Sequence, residues 1–150
     1  MTRLSELAQF LVKQPKGILA ADESNATMDN RLLSIGLDGT EFRRKGWREL
    51  IFSTPGLNEY VSGIIMYDET VRQKSQLGQS FVGMLTSFGI VPGVKVDTGT
   101  EHLVDSDGEF LTHGLDGLSK RLREYKNFDI QFTKWRSVLN IGPNTPSDDC

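Results

Sequence analysis

Four short apolar segments alternate with amphipathic segments along this chain. The apolar segments are rich in strand-forming residues, whereas the amphipathic segments repeat their apolar residues at helical spacing. The predicted strands are residues 17–24, 61–69, 90–97 and 132–139. Strands that are joined through helices run parallel, so this order predicts a parallel α/β sheet with crossover helices. The nearly continuous apolar character of the strands is typical of a sheet covered on both faces.

The helices predicted between these strands complete the pattern. They are an N-terminal helix that contains Leu4, Leu7, Ala8 and Leu11 and ends before Pro15, followed by residues 40–52, 81–89 and 113–127. The last of these has Leu115, Leu118, Leu122 and Tyr125 on its predicted apolar side. A polar segment rich in Gly and Asp, between the third strand and the last helix, is predicted to be a loop. Two architectures fit this order: an open doubly wound sheet, or part of a (β/α)8 barrel.

Length, charge and cysteine content exclude several classes of protein. A chain of 150 residues can bury the core of one domain. Its net charge of -3, with both signs interspersed, argues against a nucleic-acid or membrane partner recognised by bulk charge. No apolar run approaches the roughly 20 residues of a membrane span, and the N-terminal segment lacks the features of a secretory signal, so we expect a cytoplasmic protein. Cys150 is the only cysteine, which excludes an intrachain disulfide and a cysteine-rich zinc site.

Charged residues collect at the carboxyl ends of the predicted strands. They are Asp22 and Glu23, Asp68 and Glu69, Lys95 and Asp97, and Lys134 and Arg136. In parallel α/β folds these ends line the ligand crevice. Because side chains alternate along a strand, Lys95 shares a face with Asp97, and Lys134 shares one with Arg136. Both pairs can therefore point into one cavity.

The segment FTKWRSVL places Lys134 and Arg136 inside an otherwise apolar strand. An unpaired buried charge costs several kcal/mol, so this strand requires counter-charges or an anionic ligand. For Glu23, Asp68 and Glu69, the start of a solvated loop explains the charge as well as a functional site does.

Other kinds of functional site have little support in the sequence. The Gly-rich nucleotide fingerprint and the phosphate loop are absent. His102 and His113 have no partner at metal-ligand spacing and are predicted to lie on the surface. Ser24 and Ser34 lack the sequence context of a hydrolase nucleophile. We therefore predict neither a metal site nor a cofactor.

Six motifs occur in an order that resembles one enzyme family. They are GILAADESNATMDNRL, SIGLDGTE, PGLNEYVSG, VPGVKVD, GLDGLSKR and FTKWRSVL. From about Lys16 to Pro146 the chain resembles the class I fructose-bisphosphate aldolases, and its motifs are most similar to those of the plant plastid and cyanobacterial branch. The resemblance implies a (β/α)8 barrel that cleaves fructose 1,6-bisphosphate without metal, through a Schiff base on a lysine. It also implies a homo-oligomer, commonly a tetramer.

The resemblance further implies roles for the residues at the strand ends. Asp22 matches the aspartate beside the imine. Lys134 matches the lysine that assists loss of water from the carbinolamine. Arg136 matches the arginine that grips a substrate phosphate, for which its planar donor fork is suited.

Four further residues match the family's phosphate region. Lys95 adds positive charge beside the phosphate, and Asp97 is its counter-charge. Ser24 matches a hydroxyl near the phosphate, and Thr27 stands where the family often has another serine. The counter-charges that Lys134 and Arg136 require would then be supplied by a doubly phosphorylated sugar together with Asp22 and Asp97.

The sequence also departs from the family pattern. Asn30 precedes Arg31 where the family usually has Lys-Arg, and Thr98 replaces a common lysine. A complete barrel needs about 250 residues, and the family's imine-forming lysine and acid-base glutamates belong to later strands. Residues 1–150 are therefore expected to be one partial aldolase barrel domain, its amino-terminal half, and to be inactive alone. The alternatives are a non-catalytic half-barrel that binds a partner or an anionic metabolite, and another barrel enzyme acting on phosphosugars.

Overall fold

The computed structural model describes residues 4–106 and 108–148. Cys150, the basis of the cysteine prediction, lies outside these residues. The elements in chain order are α1 (Leu4–Leu11), β1 (Gly17–Ala21), α2 (Asn25–Ser34), α3 (Glu41–Phe52), α4 (Leu57–Tyr60), β2 (Val61–Met66), α5 (Asp68–Val71), α6 (Phe81–Ser87), β3 (Val91–Lys95), β4 (Gly99–His102), β5 (Phe110–His113), α7 (Leu118–Asn127) and β6 (Phe132–Lys134). Among the described helices, none has the length and apolar character needed to cross a membrane.

The main sheet contains four parallel strands in the order β1-β2-β3-β6. This confirms the predicted parallel α/β fold. Each strand lies beside the one before it, and the order never reverses. A doubly wound sheet places its first strand in the interior, whereas a (β/α)8 barrel adds its strands in one direction. The strand order therefore favours the barrel alternative.

The hydrophobic core fills the space between the sheet and its helices. Ile64, Met66 and Val94 project from one face of the sheet and are completely buried in this core. Phe52 of α3 meets Phe81 of α6 edge to face, with 5.4 Å between ring centroids. Ile64, Met66 and Val94 lie within the apolar segments predicted as strands 61–69 and 90–97, and Phe52 and Phe81 lie within the predicted helices 40–52 and 81–89.

On the opposite face of the sheet, the ring of Phe132 lies over Gly93. A side-chain carbon at Gly93 would lie only 2.4 Å from this ring, so glycine is required for the close approach. Because side chains alternate, Lys95 follows Gly93 on this face and Lys134 follows Phe132. The two lysines therefore lie at the carboxyl end of the inner face.

The sequence interpretation missed the helices α2, α4 and α5 and the hairpin formed by β4 and β5. Helix α2 follows directly after β1 and buries only Met28 and Leu32, too few apolar residues to give a clear periodic signal. The predicted polar loop instead contains an antiparallel hairpin, β4–β5. Its strands are stabilised by main-chain hydrogen bonds and remain largely exposed, so the apolar alternation that marks a half-buried strand is absent.

Several predicted boundaries were also wrong. Helix α7 begins at Leu118 because residues 110–113 belong to β5, and its predicted apolar residues Leu115 and Leu122 are exposed. Strand β6 ends at Lys134, five residues earlier than predicted. The ladder stops there because the main-chain N–H of Arg136 donates to the side chain of Asp97, at 3.1 Å, instead of to a strand carbonyl.

Candidate functional site

A cavity of about 650 Å³ opens at the carboxyl ends of the four parallel strands. All seven residues that the sequence singled out line it: Asp22, Ser24, Thr27, Lys95, Asp97, Lys134 and Arg136. Lys95 and Lys134 are the last residues of β3 and β6, and the other five lie in the segments that follow β1, β3 and β6. The predicted convergence of charged strand ends is therefore present, whereas the role of each residue stays a prediction.

Asp22 and Lys134 form an ion pair across the inner face of the sheet. The Nζ of Lys134 donates to Oδ2 of Asp22 at 2.6 Å, although the residues are 112 positions apart in the chain. Asp22 is buried and Lys134 is partly exposed to the cavity. This pair places an ammonium group, which can donate a proton, against a fixed carboxylate.

Asp97 connects the two other cations of the site. Its carboxylate accepts hydrogen bonds from Nζ of Lys95 and from the main-chain N–H of Arg136. Burial raises the pKa of Asp97, but the hydrogen bonds from Lys95 and Arg136 outweigh burial, so the pKa lies below its usual value. Asp97 is therefore an ionised anchor that fixes Lys95 and the main chain of Arg136.

The guanidinium of Arg136 has a different environment from its main chain. It lines the cavity and is exposed, and within residues 4–106 and 108–148 it makes no hydrogen bond or ion pair. Its planar fork of donors is therefore available for a ligand. The sequence prediction that Arg136 lies in a buried strand was wrong, because the residue follows the end of β6.

Ser24 and Thr27 form the hydroxyl-bearing wall of the cavity. Ser24 caps the N-terminus of α2, where its Oγ accepts a hydrogen bond from the main-chain N–H of Thr27 at 3.3 Å. The hydroxyl oxygens of the two residues are 3.0 Å apart. The cap explains why both hydroxyls meet at one point of the cavity, although α2 itself was not predicted.

The low pKa of Asp97 predicts a pH dependence of stability. A carboxyl group whose pKa is depressed on folding stabilises the protein above its ordinary value of 3.8, and this stabilisation is lost as pH falls through the folded pKa. Asp97→Asn should therefore reduce the loss of unfolding free energy between about pH 5 and pH 2. Denaturant titration at a series of pH values measures this loss. An identical pH dependence in the variant would contradict the assignment of Asp97 as an ionised anchor.

A second polar cluster lines the cavity and was not found from the sequence. Asp68 accepts hydrogen bonds from Arg72 at 3.0 Å and from the hydroxyl of Tyr125 at 2.9 Å. Burial raises the pKa of Asp68, but these two hydrogen bonds lower it by more, so the net pKa is below the usual value. Burial and the neighbouring Asp68 raise the pKa of Tyr125 to about 12. This cluster therefore keeps a neutral hydroxyl and a carboxylate at the cavity wall near neutral pH.

Arg121 also lines the cavity, and it joins helix α7 to the strand ends. It donates hydrogen bonds to the main-chain carbonyls of Val96 and Gly114. A signal for this arrangement was present in the sequence, because Leu118, Arg121 and Tyr125 recur at helical spacing. Tyr125 was instead interpreted only as part of an apolar side.

The acidic residues that the sequence left undecided are all paired with arginines. Glu23 contacts Arg48, and Glu69 contacts Arg44. Asp68 contacts Arg72 in the polar cluster. The side chains of Glu23 and Glu69 are only 17% and 19% exposed, so the interpretation that they begin solvated loops was wrong for these two, whereas the side chain of Asp68 is 43% exposed.

The described residues hold no group of three or more His, Cys, Asp and Glu side chains that could bind a metal ion. His102 and His113 are exposed, as predicted, and both lie on the β4–β5 hairpin. His113 contacts Glu101 at 3.0 Å, and the ring of His102 packs against Phe110. Neither histidine lines the cavity.

The fold and the cavity together define a class of protein: an α/β protein with the strand order of a (β/α)8 barrel and a polar site at the carboxyl ends of its strands. Comparison with known families gives the family itself. Residues 3–150 match the family model described as "Fructose-bisphosphate aldolase class-I". The chain belongs to the class I fructose-bisphosphate aldolase family.

Individual relatives agree with this assignment. A protein of Xanthomonas axonopodis pv. citri named "Probable fructose-bisphosphate aldolase class 1" is 47% identical over 148 residues, covering 99% of this chain and 44% of the relative. "Fructose-bisphosphate aldolase 6, cytosolic" of Arabidopsis thaliana is 49% identical over 140 residues, covering 93% of this chain and 39% of the relative. The chain therefore spans less than half the length of these curated relatives. The plastid or cyanobacterial subtype stays a prediction.

A solved structure of the family supports the fold. The fructose-bisphosphate aldolase of Plasmodium falciparum, solved in complex with TRAP and a small-molecule inhibitor, superposes with a TM-score of 0.91 at 43% identity. The match covers 95% of this chain and 42% of that one. Since this neighbour is a (β/α)8 barrel, the predicted fold class, four parallel strands of such a barrel, is confirmed.

Proposed function

We propose that this chain forms the first four strands of the catalytic barrel of a Schiff-base fructose-bisphosphate aldolase. The full-length enzyme is a carbon-carbon lyase that cleaves fructose 1,6-bisphosphate to dihydroxyacetone phosphate and glyceraldehyde 3-phosphate, without metal, in central sugar metabolism. The observation that carries the proposal is the Asp22–Lys134 ion pair beside the available guanidinium of Arg136 in one cavity. This arrangement suits a reacting carbon near the ion pair and a phosphate on the arginine.

The ion pair supports a proton-transfer role. Loss of water from a carbinolamine requires a proton on the departing hydroxyl, which a positioned ammonium group can donate. Lys134 is positioned by its 2.6 Å hydrogen bond to Asp22 and is still partly exposed to the cavity. We assign donation of this proton to Lys134. Asp22 then holds Lys134 in place and stabilises positive charge on the neighbouring imine.

The opposite part of the proposed site binds phosphate. Arg136 offers a planar fork of donors, and Lys95 adds positive charge from the neighbouring strand. Ser24 and Thr27 supply hydroxyl donors at the N-terminus of α2. Asp97 holds Lys95 and the main chain of Arg136 in place, because its carboxylate accepts a hydrogen bond from each.

The imine-forming lysine is proposed to come from a later strand of the full-length barrel. Lys95 and Lys134 each donate to a buried carboxylate, a geometry that suits ammonium groups and not free amine nucleophiles. Residues 1–150 alone are therefore proposed to be inactive. A cytoplasmic location is proposed from the relatives named cytosolic or cytoplasmic, and a homo-oligomer, commonly a tetramer in this family, is proposed from family membership.

Trapping of the imine tests the proposed reaction. Borohydride reduction in the presence of dihydroxyacetone phosphate should attach the ligand covalently to the full-length protein and leave the 150-residue chain unlabelled. Samples without borohydride are the control. Labelling of Lys95 or Lys134 in the short chain would contradict the assignment of the nucleophile. A full-length protein that binds fructose 1,6-bisphosphate, but shows neither labelling nor turnover, would support the non-catalytic alternative.

Arg136→Ala should weaken substrate binding in the full-length enzyme. A hydrogen bond to a charged group contributes about 1.5–3 kcal/mol, so the expected rise in KM for fructose 1,6-bisphosphate is about 10- to 100-fold. The value of kcat should change much less, because the guanidinium binds the phosphate and not the reacting carbon. Steady-state kinetics separate the two constants. The matched control is Arg123→Ala, which removes an exposed arginine of α7 outside the cavity. A fall in kcat at constant KM would contradict the assigned role.

A further inference from the structure

Arg48 is a buried cation that lies behind the strand end carrying Asp22. Its side chain is only 3% exposed. One nitrogen of its guanidinium donates to the carboxylate of Glu23 at 2.6 Å, and the other donates to the main-chain carbonyl of the same residue at 3.2 Å. Arg48 therefore holds both the side chain and the main chain of the residue that follows Asp22.

The main chain at this point has few other restraints. Strand β1 and its ladder with β2 end at Ala21, so Asp22 and Glu23 lie beyond the last paired residue of the strand. The next main-chain restraint is the first turn of α2, where the N–H of Met28 donates to the carbonyl of Ser24. Arg48 thus occupies the gap between the end of the strand and the start of the helix.

The electrostatics of Glu23 agree with a tight contact. Burial raises the pKa of Glu23, but the hydrogen bond from Arg48 and the positive charges of Arg48 and Arg31 lower it more, so the net pKa is below its usual value. An ionised Glu23 keeps its full attraction for the buried guanidinium.

A second arginine of α3, Arg44, provides a contrast. It lies one turn before Arg48, and its side chain is 12% exposed. Its guanidinium donates to Glu69 at 2.7 Å and 2.9 Å and to Asp29 at 2.7 Å. Arg44 therefore joins α3 to α5 and α2, but it does not contact the main chain beside Asp22.

We propose that Arg48 is a positioning residue for the aldolase reaction: by holding the main chain at Glu23, it sets the place from which the Asp22 carboxylate meets Lys134. The inference rests on the proposed function and adds to it a residue outside the cavity lining. A displacement of about 1 Å at a reacting group can lower a rate about 100-fold. We therefore expect the contact between Arg48 and Glu23 to act mainly on turnover.

The kinetic test uses Arg48→Met in the full-length protein. We expect kcat for fructose 1,6-bisphosphate to fall about 10- to 100-fold, with KM nearly unchanged. Arg48→Lys keeps the charge but cannot span both acceptors, so its kcat should lie between that of the parent enzyme and that of Arg48→Met. Arg44→Met removes a comparable buried charge from the same helix and is the matched control, with kcat expected to stay within a few-fold. Unchanged kcat in Arg48→Met, or an equal loss in Arg44→Met, would overturn the inference.

Two further measurements separate positioning from loss of folding and from failure of the proposed function. The double variant Glu23→Gln/Arg48→Met removes the ionised carboxylate together with the buried guanidinium, so it should fold and still show the lower kcat. A crystal structure of Arg48→Met measures the geometry of Asp22 and Lys134 independently of any activity assay. Loss of the 2.6 Å contact between Asp22 and Lys134 supports the inference, and its retention overturns it. Absence of cleavage by the unaltered full-length protein would instead overturn the proposed function, while the crystal structure would still decide the role of Arg48.

Discussion

Replacing Lys134 with methionine should lower kcat for fructose 1,6-bisphosphate in the full-length enzyme by about 10²- to 10⁴-fold, the range typical of a lost general acid or base. Methionine keeps the length of the side chain but removes the group that contacts Asp22 at 2.6 Å. KM should change much less, since phosphate binding is assigned to Arg136 and its neighbours. Steady-state kinetics with purified enzyme measure both constants.

Two further variants make this result specific. Lys120→Met removes an exposed lysine of α7 that does not line the cavity, and its kcat should equal that of the parent enzyme. Asp22→Asn should also lower kcat, and the double variant should lose less than the product of the two single effects, because the residues act as a pair. Full activity of Lys134→Met, or strict multiplication of the two effects, would contradict a joint catalytic role.

Phe81→Ala should produce the largest loss of stability. Phe81 is completely buried, and its ring packs edge to face against Phe52 in the core between α3 and α6. Removing a buried phenyl ring costs about 3–5 kcal/mol, because transfer free energy is lost and a cavity remains. Denaturant unfolding of the full-length protein should therefore show a much lower midpoint.

The matched control for Phe81 is Phe42→Ala. The Phe42 side chain lies on α3 but is 69% exposed, so its removal should change the unfolding free energy by less than about 0.5 kcal/mol. A small effect at Phe81, or an equal effect at both positions, would contradict the assignment of the core.

The sequence alone determined the class of the fold and the end of the sheet where the site lies. Apolar strands alternating with amphipathic helices require parallel strands, and parallel strands place all their carboxyl ends together. The same-face placement of Lys95 and Asp97 also followed from the strand period, although the hydrogen bond between them was not predictable in detail. These features depend on local periodicity, which can be read directly from the order of residues.

The sequence did not reveal elements that are stabilised without a periodic apolar pattern. Helix α2 depends on the Ser24 cap and on the contact of Asp29 with Arg44 of the following helix, and the β4–β5 hairpin depends on main-chain pairing at the surface. The early end of β6 also has no periodic signal. The side chain of Asp97, in the segment after β3, accepts the hydrogen bond from the main-chain N–H of Arg136 in place of a strand carbonyl.

Only the tertiary structure decided which charged residues meet. Asp22 pairs with Lys134 at a separation of 112 positions, and Glu23 pairs with Arg48 of α3. Residue types show that buried charges need partners, but strand order and helix packing select the partner. The sequence therefore determined that opposite charges gather at one end of the sheet. The tertiary structure determined which of them face the cavity and which hold the strand ends in place, because that choice depends on contacts between residues distant in the chain.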